Sequence, residues 1–119
     1  MIIVAIILCA SLMLQPKVST VEYYGECRIT YYCPCSACCG EWAGGPTASG
    51  VMPTANHTVA ADLPFGTKLI IDDTEYVVED RVVSGMCVDV FVDSHEEALR
   101  RGLYYADVYI VREHSIQEE

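Results

Sequence analysis

The sequence predicts a small, mainly β domain closed into a barrel, and three observations carry that expectation. Short β-rich runs recur along the chain, one capped helical segment stands among them, and long connections rich in Gly, Pro, Thr and Ser separate them. Closing such strands on one another removes the edges that would otherwise stay exposed. A length of 119 residues supplies one hydrophobic core and not two.

The chain opens on an uncharged apolar run, Met1 to Leu14, which Gln15, Pro16 and Lys17 break. It is short of the roughly 20 apolar residues that span a bilayer, and it fits the hydrophobic region of a signal peptide. Residues 1–20 are therefore expected to be an export leader or N-terminal membrane anchor, with Val18-Ser19-Thr20 a weak cleavage site. Residues 21–119 are expected to form the domain, its core at about 26–112. Thr67 to Ile71 and Glu75 to Glu79 read as a hairpin around the acidic turn Asp72-Asp73-Thr74. Another strand is expected over Met86 to Val92, and a last one over Val108 to Arg112. Ser94 with Glu97 three residues on is a capping box, and Gly102 supplies the stop, so a short helix is expected from Ser94 to Arg101. Gly40 to His57 reads as one long loop, and loops of that length tend to carry function.

Seven Lys and Arg against 17 Asp and Glu give a net charge of -10. No cluster of basic residues could neutralise a phosphate backbone, which excludes nucleic acid as the expected partner. Cysteine is abundant: Cys33, Cys35, Cys38 and Cys39 fall within seven residues, with Cys27 upstream and Cys87 far downstream. Six cysteines in an exported chain are an even set, and disulfides among them are the expectation, their pairing left open. Zinc is the alternative. A C-x-x-C pair could be half of such a site, but no second C-x-x-C or H-x3-5-H follows, so no metal and no other cofactor is expected. His57, His95 and His114 read as surface or helix-cap residues.

Three aspartates sit in apolar, strand-like surroundings: Asp62 in VAADLPFGT, Asp80 in YVVEDRV and Asp89 in CVDVF. Strand alternation sends Asp89 to the face opposite Val88 and Val90, so its environment depends on where that face points. A single aspartate of this kind more often holds a turn at a barrel rim.

Together with neighbouring motifs the three make a more specific pattern. The motifs are Thr30-Tyr31 with Cys33-Pro34-Cys35 and Cys38-Cys39-Gly40, Thr47-Ala48-Ser49-Gly50, Ala60-Ala61-Asp62, Pro64-Phe65-Gly66-Thr67, Glu79-Asp80-Arg81, Val88-Asp89-Val90-Phe91, and Ser94-His95-Glu96-Glu97-Ala98 closing at Gly102. In this order they resemble the Asp-Asp-Asp, or 3D, domain proteins of Gram-positive bacteria and their phages. The link from Arg81 to Val88 is shorter than in that family.

The resemblance implies a six-stranded double-psi β-barrel with one short helix, related to the catalytic barrel of membrane-bound lytic transglycosylase A. It implies a monomer acting on peptidoglycan glycan strands, exported to the wall side of the membrane. The implied reaction is non-hydrolytic cleavage of the β-1,4 bond between N-acetylmuramic acid and N-acetylglucosamine to a 1,6-anhydro end. Asp89 would be the acid, with Asp62 and Asp80 close by, and Tyr31, Thr47 and Ser49 would contact the sugar. The same barrel in expansins acts on walls without hydrolysing them, so a glycan-binding module is the rival reading, and a disulfide- or zinc-stabilised structural protein is another.

Overall fold

The computed structural model describes residues 16–82 and 85–116. The apolar run of the expected 1–20 leader, Met1 to Leu14, lies outside the described residues, as do Val83 and Ser84 of the link between Asp80 and Asp89. Six strands form the fold: β1 (Lys17–Tyr32), β2 (Thr58–Ala61), β3 (Lys68–Ile71), β4 (Thr74–Asp80), β5 (Cys87–Phe91) and β6 (Tyr104–Ser115). Two short helices join them, α1 (Ser36–Cys39) and α2 (His95–Arg101), and a 3-10 turn at Gly40–Trp42 follows α1. The strands close in the order β1-β5-β2-β4-β3-β6, so the expected small β-barrel is the fold. Among the described residues, no helix is long and apolar enough to cross a membrane.

Strand alternation fills the barrel. Ile29, Val59, Leu69, Val78, Val88 and Val108, each 0% exposed, point inward from all six strands. The parallel pairs β1–β5 and β2–β4 alternate with antiparallel neighbours, which makes the sheet mixed. The β3–β4 hairpin turns on Asp72 and Asp73, both with positive φ (50° and 63°). Two such central residues define the turn whose twist suits a two-residue hairpin, and Asp tolerates that conformation better than most side chains.

The helix α2 forms as its caps predict. The Ser94 hydroxyl accepts a hydrogen bond from the Glu97 N–H at 3.2 Å, and Gly102 ends the helix at φ 68°. Acidic residues occupy its first turn and Arg100 and Arg101 its last, matching the helix dipole.

Two elements depart from the sequence reading. The strand β1 begins at Lys17, before the expected domain start at Val21, and pairs outward with β6 as far as Ser115. Helix α1 is not expected from the sequence, because its N-cap, Cys35, makes no side-chain capping bond and so leaves no signal there.

Candidate functional site

The face of the sheet turned away from the core carries the site. On β5, Val88 and Val90 point into the barrel, and alternation turns Cys87, Asp89 and Phe91 outward. On β1 the same alternation turns out Arg28, Thr30 and Tyr32. Register then sets a row across four neighbouring strands, with Thr30 opposite Asp89, Asp89 opposite Ala60, and Ala60 opposite Asp80. A register slip between β2 and β4 places Asp80 there. Val59 faces Val78, but Ala60 faces Asp80 and not Glu79. A bulge of this kind re-aims a side chain, and without it Asp80 would leave the row.

The chain from Pro34 to Pro53 borders this outward face, and between them lies an open cavity of about 820 Å³. Asp89, Asp80, Ala60, Thr30 and Tyr32 form its sheet side, while Thr47 and Trp42 line it from the loop. Ala60 matters by its size: a methyl between two carboxyl-bearing positions leaves the floor open. Trp42 is 73% exposed and lines the cavity, so its ring is available to a ligand.

The two carboxyl groups differ in environment. Asp89 is partly buried and accepts a hydrogen bond from the Thr30 hydroxyl at 3.1 Å. Burial pushes its pKa above the usual carboxylate range, and the charge of Asp80 pushes the same way, against the Thr30 bond and Arg28. Asp80 instead accepts three hydrogen bonds, from the Tyr32 hydroxyl (3.0 Å), the Ala48 N–H (3.1 Å) and the Arg81 N–H (2.9 Å). It ties the loop to the sheet, helped by the Ser49 N–H donating to the Glu79 carbonyl at 3.2 Å. Desolvation and the neighbouring Asp80 in turn push the Tyr32 phenol well above its usual range, so it remains a donor.

The residues singled out from sequence separate into two groups. Asp89, Asp80 and Thr47 line the cavity. Asp62 does not: it is exposed, just beyond the end of β2, and its charge acts on Tyr24. Tyr31 turns to the other side of β1, stacked on Tyr104 at 6.5 Å between centroids with the Arg101 guanidinium 4.2 Å above its ring. Ser49 lies behind Thr47, their hydroxyl oxygens 3.0 Å apart. Sequence reasoning misses Thr30, Tyr32, Trp42 and Ala60 as site residues, and only the register and the bordering loop reveal them.

The cysteines also separate. Cys27 lies in the barrel core beside Cys87, at the start of β5. Cys33, Cys35 and Cys38 gather with His95, while the Cys39 thiol turns away to donate to the Cys33 carbonyl at 3.1 Å. Among the described residues, Cys27, Cys33, Cys35, Cys38 and Cys39 carry thiols and not disulfides.

Fold and site together define a closed six-stranded β-barrel with a groove on its outer face that carries two aspartates. Two similar solved structures are the crystal structure of MltA from E. coli and a variant of the E. coli lytic transglycosylase MltA in an apo form. The first is 22% identical with a TM-score of 0.49, over 60% of this chain and 28% of that one. The second is 20% identical with a TM-score of 0.49, over 65% and 29%. The match thus spans less than a third of the length of each of those two chains. No protein-family model and no curated protein matches the sequence.

Proposed function

We propose that this protein is a lytic transglycosylase of peptidoglycan, a 3D-type domain exported behind its apolar leader to act on glycan strands as a monomer. One observation carries the reading: a carboxyl group with a raised pKa, Asp89, sits on the floor of a groove with a second, firmly held carboxylate beside it. The order of the sequence motifs supports it.

In the reaction Asp89 protonates the glycosidic oxygen as the C1–O bond breaks. The C6 hydroxyl of the same sugar attacks C1, and its proton passes to the Asp89 carboxylate, which restores the acid. No water is consumed, so one acid/base group suffices where an ordinary glycosidase needs two. The charge of Asp80 adds to burial in raising the Asp89 pKa, and Asp80 holds the groove wall. Trp42 offers an aromatic face to a sugar ring, and Thr47 and Tyr32 offer hydroxyls. Asp62 lies outside the groove, and Tyr31 has a packing role against Tyr104.

The test is mass spectrometry of purified peptidoglycan after incubation with the protein. Muropeptides with 1,6-anhydro ends are the expected product, absent with Asp89→Asn. Reducing ends in their place would mean a hydrolase. Binding to the wall without any product would favour the glycan-binding reading.

A further inference from the structure

We propose that Cys33, Cys35, Cys38 and His95 form a structural zinc site of the Cys3His type, which fastens one wall of the groove to the barrel. The four donor atoms lie within 4.8 Å of one another. The Cys33 sulfur is 3.0 Å from that of Cys35 and 3.6 Å from that of Cys38. The His95 Nδ1 is 3.8, 3.4 and 3.5 Å from the sulfurs of Cys33, Cys35 and Cys38.

Tetrahedral zinc with its ordinary bond lengths spaces its ligands by about 3.8 Å between sulfurs and about 3.5 Å between sulfur and nitrogen. Four of the five distances fall close to those edges. The fifth, between Cys33 and Cys35, opens by roughly 0.8 Å around a metal of that size. A disulfide would use two of the sulfurs and leave the third, with an imidazole nitrogen aimed at all three, unexplained.

Soft thiolates with one imidazole in a tetrahedron suit zinc, and four protein ligands leave no open position for catalysis. Binding forms three Zn–S bonds and one Zn–N bond and releases the thiol protons to solvent. The half of the site beyond the Cys35–Cys38 pair is Cys33, two residues before Cys35, and His95, 57 positions beyond Cys38. Cys33 follows β1, Cys35 and Cys38 flank and occupy α1, and His95 is the first residue of α2. The metal would therefore pin the α1 turn, which runs on into Trp42, to the segment that follows the Asp89 strand.

The experiment loads the reduced full-length chain with Zn2+, and separately with Co2+, after removal of weakly bound metal. One zinc per chain is expected by elemental mass spectrometry, and the cobalt form should show the visible bands of a tetrahedral site with sulfur-to-cobalt charge transfer. His95→Ala should weaken zinc binding by more than the roughly 10- to 100-fold that loss of an outer-shell partner costs. Cys39→Ser should bind zinc as the parent does. Cys33→Ser should lose the sulfur-to-cobalt intensity in proportion to one thiolate. If Cys33→Ser does not fold, the metal content of the parent and the His95→Ala affinity still decide. No zinc in the reduced parent, iron in place of zinc, or unchanged affinity in His95→Ala would each overturn the assignment.

Discussion

At the scale of single residues, the difference between Asp89 and Asp80 is one of neighbours rather than chemistry. Asp89 has lost water and gained one hydroxyl, whereas Asp80 has three donors. A carboxyl whose folded pKa is raised binds its proton more tightly in the native state than in the unfolded one. Its contribution to stability is then fully present below the unfolded pKa and is lost as pH rises through the folded value. Asp89→Asn, which has no charge to bury, should unfold at the same temperature as the parent or higher near neutral pH, and the advantage should vanish in acid. On the proposed function, its transglycosylase rate should fall by about 10² to 10⁴. In the proposed reaction the parent's rate should decline as pH rises through the Asp89 pKa, because the first step needs the proton. Asp80→Ala acts differently. It leaves the Tyr32 hydroxyl and two backbone N–H groups without their partner, and denaturant unfolding should show a loss of about 1 to 3 kcal/mol.

At the scale of elements, part of the order is local. The α2 caps and the β3–β4 turn follow from residues a few positions apart, which is why both are legible in the sequence alone. The turn gives a direct check. Asp73 holds φ 63°, a conformation that a β-branched residue strongly resists, so Asp73→Val should destabilise the domain by about 1 to 2 kcal/mol in thermal or denaturant unfolding. Asp72 also serves beyond the turn, since its carboxylate accepts from the Tyr104 hydroxyl at 2.9 Å. Strands β1 and β2 are harder to read. Much of β1 is exposed on both faces and shows no clean alternation, and the four residues of β2 are all buried, so neither gives a period-two signal.

At the scale of the whole molecule, stability is uneven. The barrel core is continuous, but β3 accompanies β6 only from Val108 to Val111. Beyond that, Arg112 to Ser115 and Lys17 to Thr20 form a ribbon of two strands with no third neighbour among the described residues. A two-stranded ribbon is marginal by itself, and its cross-strand contacts are exposed, such as that between Thr20 Oγ1 and His114 Nε2 at 3.2 Å. Amide hydrogen exchange should therefore be fast for Lys17 to Thr20 and Arg112 to Ser115. Exchange at Ile29, Val88 and Val90 should require global unfolding. Equal protection in ribbon and barrel would show that the ribbon is covered by something else.

What the sequence determined by itself was whatever acts over a few residues: the helix with its two caps, the acidic hairpin turn, the loop between β1 and β2, and the outward face of Asp89 between two inward valines. The tertiary structure decided which of those faces meet. The slip that places Asp80 in the row with Asp89 depends on how β2 lies against β4, and the exposed position of Asp62 follows from where β2 ends. His95 is a plain helix-start residue in the sequence, and only closure of the barrel brings its ring to three thiols from a distant part of the chain. Local signals work through backbone preferences and side-chain periodicity. A groove assembled from four strands and the loop beside them depends on strand register, which the core and not any short motif selects.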